Sequence, residues 1–168
     1  MVIVGHGPSV LCGLGAVIDS HDVVVRLKQG LVKNQAPEHF GTRTDVISAR
    51  SHLYTKEGVK FWRFPDWPDP MAQKWLKYYW QFRPTNKRGK PSTGLAAVFC
   101  AIEYANPESI SLIGFDRLFK PTDECTGKWY EPRRFNKFGT GSHDQRAEAE
   151  CLASLPVKII DLSKEANV

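Results

Sequence analysis

Apolar, β-branched runs recur along the chain as MVIV (1–4), DVVVRL (22–27), DVISA (45–49), KFWRF (60–64), SISLIGF (109–115) and VKIIDL (157–162). Short continuous runs of this kind, bounded by turn residues, predict strands covered on both faces. The segments between them read better as helices, over 9–18, 69–82, 92–104 and 142–154. Strands alternating with helices predict an α/β fold, a Rossmann-like, mostly parallel sheet flanked by helices. No internal repeat or low-complexity tract interrupts the pattern, and the most loop-like stretches are 83–91 and 119–141. In helix 69–82, Met71, Trp75 and Tyr79 form one stripe, with Leu76 and Trp80 beside it. That stripe is expected to pack on the sheet. The competing reading has some of these rings exposed, stacking on sugar or meeting a membrane surface beside Lys74, Lys77 and Arg83.

At 168 residues, 42% hydrophobic and 24% charged, the chain has the size and composition of one globular domain spanning 1–168. The net charge of +5 favours an anionic ligand without choosing one, and no recognised nucleic-acid motif accompanies it. Apolar stretches such as LAAVFCAI are too short to cross a bilayer, and the first strand leaves no room for a signal peptide. The expectation is a soluble protein with no transmembrane segment, or a fragment anchored through residues outside this sequence. Cys12, Cys100, Cys125 and Cys151 are widely spaced and lack zinc-site spacing, so free thiols are expected. Cys12, Cys100 and Cys151 sit among apolar or small residues, as buried thiols do.

Three segments carry candidate chemistry. The first strand opens into GHGPSV, residues 5–10. A Gly-rich turn between a strand and a helix can cradle a phosphate or carboxylate, although many such turns bind nothing. In KPSTG, Ser92 or Thr93 is placed to cap the following helix, and the same hydroxyls and first-turn N–H groups suit an anionic oxygen. In GTGSHDQRAEAE, Ser142 and Gln145 have capping-box spacing, which predicts His143 in the first helical turn. There the helix dipole disfavours imidazolium, which suits a general base; the plainer reading is a solvated histidine. Glu148 lies about 140° round the helix from His143, so it is expected to tie that helix to another loop instead.

Together and in this order, these segments resemble the sialyltransferases of glycosyltransferase family 29. VIVGHGPSVLCGLGAVIDSHDVVVRLK (2–28) is similar to that family's large motif, and PSTGLAAVFCAIEYANPESISLIGFD (91–116) to its small motif. KWYE (128–131) falls at the short aromatic third motif, and His143 with Glu148 matches the H-x4-E of the last. The resemblance implies a variant GT-A-type domain that transfers sialic acid from CMP-sialic acid to a glycan acceptor hydroxyl, with inversion and without a metal or other cofactor. The sequence carries no D-x-D triplet. Carried over by position, Gly5, His6, Gly7, Ser9, Lys28, Ser92, Thr93 and Gly94 would line the donor. His143 would be the base, Lys128 would stand by the donor phosphate, and Glu148 would orient the site.

Three positions depart from the family pattern: His6 and Lys28 replace asparagines, and Lys128 replaces a histidine. Lysine can neutralise a phosphate as a point charge but donates a proton less readily at neutral pH. No cysteine occupies the positions of the family's disulfide between the large and small motifs, which fits a reducing cytoplasm and a microbial or viral relative. Two further readings fit the same residues: a transferase of another CMP-linked sugar such as Kdo, and a non-catalytic nucleotide-binding module. The basic stretches Lys87-Arg88-Gly89-Lys90 and Arg133-Arg134 read as solvated faces or as contacts to an acidic acceptor.

Overall fold

The computed structural model describes residues 1–28, 36–50, 57–66, 68–84, 89–119 and 144–167. Each of the six apolar runs contributes a strand: β1 (Val2–Val4), β2 (Val24–Leu27), β3 (Val46–Ser48), β4 (Lys60–Trp62), β5 (Ser109–Ile113) and β6 (Lys158–Asp161). They form one sheet in the order β4-β3-β2-β1-β5-β6, and every pairing is parallel. The fold is α/β, with a parallel sheet flanked by helices.

Side chains alternate between the two faces, as the strand period requires. Ile3, Val25, Val46, Ile110 and Leu112 join the larger core, beneath helices α3 (Pro70–Trp80), α4 (Thr93–Ala105) and α6 (Gln145–Ala153). Val2, Val4, Val24 and Ile113 face the other way, against Val10, Ile18, Phe40 and Leu162. That second layer consists of a 3-10 turn (Pro8–Leu11), the short helices α1 (Gly15–Ser20) and α2 (Pro37–Phe40), and a closing 3-10 segment (Leu162–Asn167).

Helix α4 is buried without a break from Leu95 to Ala101, which is why its sequence is apolar almost all round. Helix α3 is capped by Asp69, whose carboxylate accepts from Met71 N at 2.8 Å, and Pro70 fills the first position. It buries Ala72, Trp75, Leu76 and Tyr79, and Trp75 stacks on Phe99 with ring centroids 4.6 Å apart. The aromatic stripe therefore packs inward, with two amendments. Met71 is only partly buried, and Trp80 is exposed with its indole N–H donating to the Gly89 carbonyl.

Three local expectations are corrected. The helix expected over 9–18 is divided: the 3-10 turn ends at Leu11, Gly13 takes a left-handed φ of +79°, and α1 starts at Gly15. A residue in that region breaks the helical ladder, and glycine enters it without steric cost. Helix α6 begins at Gln145 and is capped by Asp144, whose carboxylate accepts from Ala147 N at 3.0 Å, in place of the Ser142 capping box. Cys100 and Cys151 are buried free thiols, as expected, but Cys12 is exposed, because the break at Gly13 turns it away from the core.

Within β2, Arg26 is 1% exposed and turns its guanidinium to the segment that leads into β3. Its Nε donates to the Arg43 carbonyl at 2.8 Å and its Nη2 to the Phe40 carbonyl at 2.7 Å. Asp19 accepts from Thr42 N, Thr42 Oγ1 and Arg43 N, which pins the approach to β3 against the end of α1. Among the described residues, no helix is long and apolar enough to cross a membrane.

Candidate functional site

From β1 the sheet grows outward through β2 and β3 to β4 on one side and through β5 to β6 on the other. The chain leaves β1 towards the smaller core and leaves β5 through the short helix α5 (Asp116–Phe119), whose Leu118 and Phe119 pack on the larger one. Consecutive loops departing to opposite faces open a crevice at the carboxyl ends of the strands, and ligands bind in such crevices.

The GHGPS loop stands at that point and is clasped to the end of β5. Gly5 N donates to the Ile113 carbonyl at 2.7 Å and Gly7 N to the Gly114 carbonyl at 2.8 Å. The Asp116 carboxylate accepts from Ser9 N at 3.1 Å and from Ser9 Oγ at 3.0 Å, while Ser9 Oγ accepts from Gly114 N at 3.0 Å. The approach is too close for side chains. A Cβ on Gly5 would lie 2.4 Å from the Gly114 oxygen, and one on Gly7 1.9 Å from Asp116 Oδ2.

His6 ties this loop sideways, its Nε2 donating to the Leu27 carbonyl at 2.7 Å. A carbonyl only accepts, so Nε2 carries a proton. Lys28 directly follows β2 in the left-handed region at φ 60°, with its N–H donating to the Ser48 carbonyl at 3.0 Å.

The start of α4 faces the same edge. Gly94 lies against Phe115, where an added Cβ would meet the ring at 2.9 Å. Ser92 caps α4, its Oγ accepting from Leu95 N at 3.2 Å. The Glu148 carboxylate then holds that cap, accepting from Ser92 N at 2.6 Å and from Ser92 Oγ at 2.7 Å. Glu148 is 2% exposed. Burial pushes its pKa up to about 7, against the two Ser92 hydrogen bonds and the Arg50 charge, while Asp144 adds a smaller upward push. The site thus stores a carboxyl group that changes charge near neutrality at the foot of the α4 N-terminus.

The sequence-predicted residues therefore fall into two groups at one edge. Gly5, His6, Gly7, Ser9 and Lys28 cluster at the ends of β1 and β2, and Ser92, Thr93, Gly94 and Glu148 at the starts of α4 and α6. Phe115 stands between them, following β5 and touching Gly94. His143 and Lys128 lie outside the described residues. Asp116 was not singled out from sequence, although an acid directly after the apolar run SISLIGF is a signal once loops after strands are searched. Arg26 was likewise missed, and its signal is a lone charge within an apolar run.

No protein-family model matches the chain, and no curated protein matches it. Among solved structures, the chain is similar to a mammalian sialyltransferase crystallised with Gal-beta-1-3GalNAc-ortho-nitrophenol, at a TM-score of 0.58 and 17% identity. The fold is sialyltransferase-like. The match covers 95% of this chain and 67% of the other, so nearly all of the architecture described here has a counterpart there.

Proposed function

We propose that the chain is a glycosyltransferase domain that moves sialic acid from CMP-sialic acid to a hydroxyl of a glycan acceptor, with inversion. The observation that carries this reading is the clasp of the GHGPS loop on Gly114 and Asp116, set beside the Ser92–Glu148 cap at the switch point of a sialyltransferase-like fold.

In this reading the backbone of Gly5–Gly7 approaches the nucleotide. Ser9 and Asp116 hold that loop rather than touch the ligand, since the Ser9 hydroxyl already donates to Asp116 and accepts from Gly114. His6 and Lys28 border the nucleotide from the β2 side. The first turn of α4, from Thr93 and Gly94, presents N–H groups to the donor's phosphate or carboxylate. Glu148 keeps that turn in place through Ser92. His143 takes the proton from the acceptor hydroxyl as the glycosidic bond to CMP breaks, and Lys128 neutralises the departing phosphate.

Calorimetric titration with CMP, using UDP, GDP and AMP as controls, tests the donor. Preference for CMP supports the reading; binding of UDP or GDP without CMP rejects it. His143→Ala should lower transfer by about 10²-fold or more while CMP affinity stays within about twofold. Unchanged turnover would remove His143 from the reaction.

A further inference from the structure

A second concave feature lies at the same edge of the sheet, two strands away from the GHGPS loop. Arg50, which follows β3, Arg63 and Asp66, which follow β4, and Lys90, which leads into α4, line one pocket. Phe64 and Leu76 supply apolar wall. Arg63 Nη2 lies 2.8 Å from the Asp66 carboxylate and Lys90 Nζ 3.7 Å from it. The Arg50 guanidinium donates to the Pro91 carbonyl, which fixes its direction, and its charge is also felt by Glu148. Three cations and one carboxylate thus share the lining of this pocket.

We propose that Arg50, Arg63 and Lys90 form a subsite for an oxyanion, a phosphate or carboxylate group carried by the acceptor; the acceptor assignment rests on the transferase reading above. Guanidinium groups present paired N–H donors that match the geometry of such oxyanions, and partial desolvation against apolar wall strengthens the attraction. The distance also fits. Strands spaced about 4.8 Å apart put the end of β3 about 10 Å from the β1 loop, the length of one or two sugar rings. Lys90 and Pro91 run directly into Ser92, so pocket and donor crevice share the start of α4. In the free protein Asp66 occupies the cations as an internal stand-in for the ligand's charge.

Thermal unfolding of the whole chain at constant ionic strength, titrated with inorganic phosphate or glucuronate and repeated with saturating CMP, tests this. At least one of the two anions should raise the midpoint, with or without CMP, and the one that does identifies the group recognised. The double variant Arg63→Gln, Lys90→Gln should weaken that anion about tenfold, since each lost contact is a charged hydrogen bond. Asp66→Asn should strengthen it about threefold by removing the competing charge. CMP affinity should stay within about twofold in both variants, because neither touches the donor loops. Equal anion affinity in wild type and double variant overturns the proposal. So does an anion response that disappears under saturating CMP, which would put the anion in the donor crevice. Failure of CMP to bind any form, with the anion ranking of the variants intact, refutes the transferase reading and leaves the oxyanion subsite standing.

Discussion

Replacing Glu148 with glutamine alters one protonation equilibrium while nearly preserving shape. The wild-type carboxyl is 2% exposed and titrates at about 7 in the folded chain, against 4.5 in an unfolded one. The folded state therefore holds this proton more tightly. Its contribution to stability is complete below about pH 4.5 and is lost as pH rises through about 7. At about 1.4 kcal/mol for each tenfold change in proton affinity, the loss is about 3 kcal/mol. Glutamine keeps an acceptor for Ser92 N and has no such equilibrium, so the stability difference between wild type and Glu148→Gln should fall by about 3 kcal/mol from acid to neutral pH. Urea denaturation of both proteins, in steps between about pH 5 and pH 8, measures it. Parallel stability profiles, with a gap constant to about 0.5 kcal/mol, would show that Glu148 ionises like an exposed acid and that burial does not govern it.

Other residues give independent checks. Gly7→Ala would drive a methyl group to 1.9 Å from Asp116 Oδ2, so the clasp must open; we expect a loss of about 2 kcal/mol in denaturant stability and at least tenfold weaker CMP binding by calorimetry. Lys28→Asn should stabilise by about 0.5 kcal/mol in denaturant melts, because asparagine tolerates the left-handed φ of 60° better than lysine does. Arg26→Met should cost about 3 kcal/mol, read by the same melts, since the Phe40 and Arg43 carbonyls would lose a buried donor.

The six strands were legible because the inner strands of a parallel sheet, covered on both faces, read as mainly apolar runs, and the partly exposed edge strands β4 and β6 still carry apolar pairs, Phe61-Trp62 and Ile159-Ile160. Helices α3 and α4 were legible for a related reason: their caps, Asp69 and Ser92, stand directly before them. The segment after β1 was not, because apolar spacing over 9–18 continues straight through a backbone reversal at Gly13 that only its φ reveals. At α6, capping-box spacing pointed to Ser142, whereas Asp144 does the capping. The site was legible as a set of motifs but not as a set of contacts. Ser92 meets Glu148 across 56 positions and Ser9 meets Asp116 across 107, and no local pattern encodes which strand lies beside which.

The position of β1 also bears on how the molecule assembles. The strand made first sits in the middle of the finished sheet, and one of its two neighbours, β5, is made more than a hundred residues later. During synthesis β1 can pair early with β2, but its other edge must wait, and closing so long a loop slows folding. The two halves of the crevice therefore come together late, when Asp116 finally reaches Ser9. Until then the chain carries an open strand edge next to the GHGPS loop, the state in which a nascent chain is most exposed to mispairing.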